Sequence, residues 1–250
     1  MVGLTTSTAK WATSVKSSLA KRMTNPEIHA ALTALHLASP ALPVGAFAYS
    51  QGLEQAIEEG LVRDQPSAQG WIEDVLLLSL AQQELVLWRE VYGAVNAQDT
   101  DRLVAANQLL IATRETAEFR LETIQMGQSM SRLFDQWPGA DSLTHLRNTI
   151  KHWAYPAAVA ACSAATKTPE DLALAAYAWS WVENQVLAAV KHIPLGHSSG
   201  QVVLHNLKPA IEKALVLSAA CSVHDIGSAA FGLAITSCRH ETQYSRLFRS

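Results

Sequence analysis

The sequence predicts an all-α protein that folds as one compact helical domain. Apolar residues recur at spacings of three and four along most of the chain, whereas no stretch of useful length alternates apolar and polar residues as a strand does. Prolines, glycines and helix-capping residues interrupt this pattern at distances typical of helix lengths. With 250 residues the chain can bury a large core, and no change of composition marks a linker between two domains.

The composition limits the classes of function. Apolar residues make up 49% of the chain and charged residues 16%, which leaves less charged surface than a globular protein usually has. We therefore expect another protein to cover part of this surface. The net charge of −3 argues against nucleic-acid binding, and no apolar run reaches the about 18 residues that a membrane span requires. The cysteines, Cys162, Cys221 and Cys238, form no C-x-x-C pair, which is typical of reduced thiols in a cytoplasmic protein.

Residues 1–26 form a basic segment that differs from the rest of the chain. The segment is rich in Lys, Ser and Thr and holds no acidic residue, a pattern that superficially matches an organellar transit peptide. The alternatives are a disordered extension, or a start site assigned too early, since Met23 directly precedes the first helical pattern. We expect an extension over residues 1–26 and one helical domain over residues 27–250, ending in an interaction tail at 239–250.

The first part of the domain is predicted to hold three helices. Ile28, Leu32 and Leu35 recur at helical spacing and predict a first helix at about residues 26–38. A short helix at about 50–59 follows, which Gly60 would terminate. Residues 66–95 are predicted to form one long helix, central to the fold because its VLLLSL segment is apolar on every side.

The next predicted helix spans residues 101–134. Thr100 would cap its start, an apolar stripe that includes Leu121 would face the core, and a kink near Gly127 would accommodate its unusual length. The other face carries residues of both charges one helical turn apart, which predicts a solvated, ion-paired face. These charged residues are Arg114, Glu115, Glu118, Arg120 and Glu122.

Capping residues and prolines divide the second half of the chain. Residues 141–165 are predicted to form one helix or two, with Pro156 at the join. Thr168 would cap a helix that starts at Pro169 and ends at about residue 192. Ser198 or Ser199 would cap the following helix. A last helical region is predicted at about 214–235.

Residues 37–54, LASPALPVGAFAYSQGLE, are the most unusual stretch. Pro40, Pro43 and Gly45 interrupt an apolar run where a helix would otherwise continue. We expect an ordered break between two helices that carries Phe47 and Tyr49. Because a solvated linker would not be this apolar, the break should pack either on the chain's own core or on a partner.

The tail, RHETQYSRLFRS, is the second unusual stretch. Three arginines stand among Tyr244, Leu247 and Phe248. Tyr and Arg anchor many interfaces because each buries a large area and still donates directional hydrogen bonds. Frayed termini seldom contain so many apolar residues, so we expect a tail that is docked or that binds a partner.

Two short patterns suggest other functions. Residues 196–200 match G-x-S-x-G, which makes Ser198 or Ser199 a candidate hydrolase nucleophile with His197 beside it. That chemistry requires a strand before the serine, and a helix is predicted there, which favours a helix-capping serine. The nine histidines invite a metal site, but none has a ligand spacing such as H-E-x-x-H. We predict no catalytic residue, no metal site and no cofactor.

Four segments together resemble the family of the urease accessory protein UreF. They are LASPALPVGAFAYSQGLEQAIEEG, TRETAEFRLETIQMG, WSWVENQVLAAVKHIPLGHSSGQ and RHETQYSRLFRS. They span residues 37–250 in the order that the family has them, so the resemblance covers nearly the whole chain after residue 26. The family usually has GGFSYS where this chain has GAFAYS; if the second glycine takes a positive φ, Ala46 would cost roughly 1 kcal/mol.

The resemblance implies an all-helical, dimer-forming, cytoplasmic chaperone without catalysis of its own. Such proteins bind the accessory protein UreD, also called UreH, and then the GTPase UreG. The assembly engages apo-urease and supports nickel insertion, and UreF is proposed to modulate the GTPase step. A small helical serine hydrolase and a histidine-based nickel carrier remain the alternatives.

The resemblance also implies which residues bind partners. In the first two segments they are Pro43, Gly45, Phe47, Tyr49, Ser50, Gln51, Gly52, Glu54, Arg114 and Glu115. In the later two they are Glu183, Asn184, Gly196, Gln201, Arg239, His240, Glu241, Tyr244, Ser245, Arg246, Leu247, Phe248 and Arg249.

Overall fold

The computed structural model describes residues 25–137 and 141–250, which form one helical domain without a strand among them. The all-α prediction is therefore confirmed. The predicted extension lies almost wholly outside the described residues, as do Pro138 and Gly139. The helices are α1 (Pro26–Leu37), α2 (Leu53–Glu58), α3 (Gln65–Leu78), α4 (Glu84–Asn96), α5 (Thr100–Ala112), α6 (Ala117–Arg132), α7 (Asp141–Thr149), α8 (Tyr155–Ala165), α9 (Glu170–His192), α10 (Gly196–Asn206), α11 (Lys208–Ala220) and α12 (Phe231–His240).

Two helices organise the core. The alanine-rich α8 is buried from Pro156 to Ala164 and packs between α4 and α6. Small side chains allow this close approach, and Gly127 of α6 lies directly against the backbone of Trp153. The 23-residue α9 contacts α1, α2, α3, α10 and α11, while α12 packs on α2. In the part of the chain that the structure describes, no helix combines the length and apolar character needed to cross a membrane.

The single long helix predicted at 66–95 is wrong, because the chain leaves the helical path between Ser79 and Gln83. Residues of the distant segment 221–230 donate to carbonyls at this break. The amide of Gly227 donates to the Gln82 carbonyl at 3.3 Å, and that of Ala229 to the Leu78 carbonyl at 2.9 Å. The break therefore depends on long-range contacts and carries no local proline or glycine signal.

The helix predicted at 101–134 also divides into two. Asp99, rather than Thr100, caps α5 by accepting the amide of Arg102 at 3.0 Å. The chain breaks at residues 113–116, and Thr116 caps α6, its side chain accepting from the Phe119 amide. The helix α6 then runs through Gly127 without interruption.

Three smaller predictions also differ from the structure. Pro169, not Thr168, is the N-cap of α9. Neither Ser198 nor Ser199 caps α10; both lie inside it, and Leu195 is its N-cap. The helical region predicted at 214–235 is interrupted, because α11 ends at Ala220 and α12 begins only at Phe231.

The predicted apolar faces of α1 and α6 do not match the buried ones. On α1, Ile28, Leu32 and Leu35 are 57–66% exposed, whereas Ala34 and Leu37 are buried. On α6, Leu121 is 55% exposed, and the buried stripe runs through Phe119, Glu122, Thr123, Met126 and Met130. Helical spacing thus identified both helices but selected the wrong face of each.

We predict that Gly127→Ala destabilises the protein by about 2 kcal/mol or more, as overpacking of a core does. A Cβ atom at residue 127 would lie 1.9 Å from the Trp153 carbonyl oxygen, and backbone atoms cannot yield as a flexible side chain does. Urea denaturation followed by circular dichroism measures the free energy of unfolding. The control is Gly70→Ala in α3, where no atom lies within 4 Å of an added Cβ; it should be stabilising by up to about 1 kcal/mol. Equal effects of the two substitutions would contradict the prediction.

Candidate functional site

The two unusual stretches of the sequence lie against each other. We call residues 43–54 the loop and residues 239–250 the tail. The amide of Arg249 donates to the Ala48 carbonyl at 2.8 Å. The amides of Ser50 and Gln51 donate to the backbone oxygen of Ser250 at 2.7 and 2.9 Å, and the Ser50 hydroxyl donates to the same oxygen at 2.6 Å. The loop and the tail are therefore joined along their backbones.

Backbone geometry prepares the loop for these contacts. Gly45, Gln51 and Gly52 have positive φ angles of 79°, 54° and 77°. At Gly52 a Cβ would also lie 2.9 Å from the Thr236 hydroxyl of α12. Both the positive φ angle and the lack of space therefore require glycine at this position. Ala46 is not among the residues with positive φ, and it begins a 3₁₀ turn instead. The strain that a positive φ angle would cause at Ala46 therefore does not arise.

Glu54 is the centre of the site. It lies in the first turn of α2 and is only 2% exposed. Its carboxylate accepts the amides of Leu247 and Phe248 at 2.7 and 2.9 Å and lies 3.2 Å from His240 Nε2 and 3.3 Å from His192 Nε2. Burial alone would raise the pKa of Glu54, but the two tail amides and the histidines outweigh it and hold the pKa below its usual value.

His240 connects Glu54 to α6. Its ring is fully buried, and Nδ1 lies 2.7 Å from Glu118 Oε2 while Nε2 faces Glu54. Arg246 Nη1 donates to the other Glu118 oxygen at 2.5 Å. Glu241 accepts the amide of Ala117 at 2.9 Å and so caps the start of α6. The tail is thus bound to both α2 and α6 by carboxylates.

The buried carboxylate of Glu122 holds the end of the tail. It accepts from Ser250 Oγ at 2.7 Å and from Gln51 Nε2 at 2.6 Å. Gln51 in turn accepts from Trp181 Nε1 of α9 at 2.6 Å. Burial raises the pKa of Glu122 to about 7, although the Ser250 and Gln51 donors act in the opposite direction.

Arg114 does not lie on a solvated face as predicted, and neither does Glu122. The Arg114 side chain is 13% exposed and forms an ion pair with the buried Glu84. Tyr177 also donates to Glu84, at 2.6 Å. Burial opposes the charge of Arg114, but Glu84 raises its pKa, so the residue stays charged. Beside this ion pair lies a cavity of about 40 Å³ that Gln51 and Glu122 also line.

The other residues implied by the resemblance are distributed more widely. Asn184 of α9 donates to the Tyr49 carbonyl at 3.0 Å and so joins the loop. Glu115 is exposed at the break before α6. Gly196 and Gln201 are exposed on α10, and among the described residues no hydrogen bond connects them to the loop or the tail. The structure therefore brings most of the implied residues together in one site, but not Glu115 or those of α10.

Sequence reasoning did not assign Glu118, Glu122, Trp181 and His192 to this site. A signal for Glu122 was present, because it stands three residues after Phe119 and four before Met126. Both of those residues belong to the buried stripe of α6. A carboxylate on the apolar face of a helix indicates a buried polar partner.

The outer face of the tail carries two large apolar side chains among polar and charged ones. Tyr244 is fully exposed, Leu247 is 63% exposed and Leu121 of α6 is 55% exposed. A groove of about 460 Å³ runs between the tail and α6, lined by Leu121, Phe248, Arg246 and Arg249 among others. The tail therefore turns its backbone and Phe248 inward while Tyr244 and Leu247 face solvent.

The alternative sites have little geometric support. Ser198 and Ser199 occupy the first turn of α10, and no strand precedes them in the described chain. Within residues 25–137 and 141–250, no group of three or more His, Cys, Asp and Glu side chains has an arrangement that could hold a metal ion.

Comparison with known proteins identifies the family. The model of the UreF family matches residues 62–208, more than half of the chain. The urease accessory protein UreF of Azoarcus sp. strain BH72 is 47% identical over 220 residues, which cover 86% of this chain and 94% of the relative. The UreF of Cupriavidus pinatubonensis is 46% identical over 88% of this chain and 97% of its own length. That of Nitrosospira multiformis is 41% identical over 90% and 99%. These matches, together with the all-helical fold, show that the chain belongs to the UreF family of urease accessory proteins.

Proposed function

We propose that this chain supports the maturation of urease by binding other proteins, and that the exposed face of the tail is a partner-binding surface. One observation carries the proposal: buried carboxylates fix the backbone of the tail, yet Tyr244 and Leu247 are left in solvent. Exposed aromatic and apolar side chains on a fixed backbone lose little entropy on binding, which is typical of interface anchors.

Membership of the family supports the identity of the partners. We propose that the chain binds UreD (UreH) and then the GTPase UreG, and that this assembly engages apo-urease and supports nickel insertion. We further propose that it acts as a homodimer in the cytoplasm, modulates the GTPase step and has no catalytic activity of its own.

We propose two roles for the implied partner-binding residues. Tyr244, Leu247 and Arg249 are exposed and are proposed to contact a partner. Glu54 and His240 are buried and are proposed to hold the tail in place. Arg114 is paired with Glu84 and Arg246 with Glu118, so the exposed Arg249 is the better placed of these arginines to approach the phosphates bound by a partner GTPase.

Deleting the tail is consequently a poor test of partner binding. Removing residues 244–250 would take the amides of Leu247 and Phe248 from Glu54 and leave a buried carboxylate without those donors. Such a group destabilises a protein strongly. Substitutions that change only the exposed side chains separate binding from stability.

We expect the double variant Tyr244→Ala/Leu247→Ala to bind UreD at least about tenfold more weakly, because truncating interface anchors typically costs about 2 kcal/mol or more. Calorimetry or surface plasmon resonance with purified UreD measures the affinity. The control is Val216→Ala on α11, which is 70% exposed and far from the tail in sequence; it should bind normally. Unchanged affinity of the double variant, with a normal unfolding transition, would contradict the surface assignment.

We also expect the complex of this chain with UreD to change the rate of GTP hydrolysis by UreG by about threefold or more, since a bound partner that favours one state of a GTPase shifts its populations. Phosphate release is measured with UreG alone, with the wild-type complex and with the Tyr244→Ala/Leu247→Ala complex. The double variant should leave the rate at that of UreG alone. A rate that does not respond to the wild-type complex would contradict a role in the GTPase step.

A further inference from the structure

The ionisable contacts of the tail suggest how it is regulated. His240 stands between two carboxylates, and the end of the tail rests on a third, Glu122. From this geometry we propose that the tail is a pH-sensitive strap, which is docked most firmly on the loop and α6 at acidic pH and loosens as the pH rises towards and through neutrality.

The first pH-sensitive contact is His240. Both of its ring nitrogens face carboxylate oxygens, of Glu118 at 2.7 Å and of Glu54 at 3.2 Å. A carboxylate only accepts hydrogen bonds, and only the doubly protonated imidazolium has two N–H donors. When the ring loses a proton, one carboxylate faces a nitrogen lone pair in a fully buried position. Deprotonation therefore weakens the attachment of the tail to α2 or to α6.

The second contact is Glu122, whose pKa burial raises from 4.5 to about 7. If the tail is released, water reaches the carboxylate and its pKa returns toward the ordinary value. Between pH 4.5 and about 7, Glu122 is protonated in the docked state and ionised in the released state. The equilibrium constant for docking therefore falls by up to about tenfold per pH unit in this range. Above pH 7 the docked state must keep a buried carboxylate ionised. Glu122 and His240 thus act in the same direction.

One carboxylate acts in the opposite direction, but in another pH range. Burial would raise the pKa of Glu54, yet the Leu247 and Phe248 amides and the histidines hold it below 4.5. Its contribution to docking is therefore present above pH 4.5 and is lost only as the pH falls through its lowered pKa. Loosening of the tail near neutral and alkaline pH cannot come from Glu54.

Other titratable and charged groups also face the strap. His192 Nε2 lies 3.3 Å from the Glu54 carboxylate. The pKa of Tyr49 is raised, chiefly by burial, so its hydroxyl stays neutral across the neutral range. The remaining groups are Arg246 on Glu118, Arg249 beside Tyr49, Arg114 with Glu84 behind Glu122, Lys191 over the Phe248 ring, and Glu241 at the start of α6.

Release of the strap would alter the surface that partners are proposed to bind. Phe248 and Ser250 would leave their buried positions, and the Ser50 and Gln51 amides would lose their acceptor. This consequence rests on the proposed function. The strap itself is a property of the single chain, so its test needs no partner and can fail independently of the proposed function.

Amide hydrogen exchange of the full chain tests the proposal. Protection of peptides from the tail is measured at about pH 6 and about pH 8.5, across the range in which histidines titrate, relative to a synthetic tail peptide at the same pH. We expect tail protection to fall tenfold or more at the higher pH while protection of α8 stays constant. Constant tail protection, or an equal loss in α8, would overturn the proposal.

Two variants identify the responsible groups. Glu122→Gln should keep the tail protected at high pH and make its pH dependence several-fold smaller, whereas Glu115→Gln, an exposed carboxylate one to two turns earlier, should behave as wild type. His240→Gln should expose the tail already at about pH 6. If the His240→Gln variant does not fold, which circular dichroism would show, the result for Glu122→Gln alone tests the assignment. A full wild-type pH dependence in Glu122→Gln, and in His240→Gln where it folds, would overturn the assignment.

Discussion

The buried carboxylate of Glu54 is the constraint on which this architecture depends. An ionised carboxylate removed from water costs several kcal/mol unless donors surround it. Here the donors come from two distant parts of the chain: His240 and the amides of Leu247 and Phe248 in the tail, and His192 at the end of α9. Its place in the first turn of α2 adds the favourable end of the helix dipole. The loop, the tail and two helices must therefore assemble together.

Much of the helix pattern follows from local signals. Proline, glycine or a polar cap marks the start of α1, the end of α2 and the starts of α8 and α11. These residues act locally, independently of tertiary contacts. The breaks at 79–83 and 113–116 contain neither proline nor glycine. At 79–83 the distant amides of Gly227 and Ala229 donate to backbone acceptors, and after 113–116 the distant Glu241 accepts the amides of Ala117 and Glu118. Local patterns hold no information about such contacts.

The sequence alone predicted only part of the site, for a similar reason. The loop and the tail are unusual in composition, and their resemblance to the UreF family singled them out. Glu118 and Glu122, in contrast, have the spacing of an ordinary solvated face. They become part of the site because the tail, which follows α6 by more than 100 residues, covers them with His240, Arg246 and Ser250. Charged residues on a helix face predict solvent exposure of that face only when no later segment of the chain packs on it.

The tail covers charged side chains and leaves some apolar ones in solvent, which bears on the proposed function. In most proteins apolar side chains face inward and charged ones outward. Here Glu54, Glu122 and His240 are buried beneath the tail, while Tyr244 and Leu247 face solvent. Folding alone gains little from such an arrangement, because buried charges contribute less stability than apolar packing would. It is favourable when a second protein covers the exposed face, so that the buried ionic network fixes the position of the surface and the partner supplies the missing apolar contact.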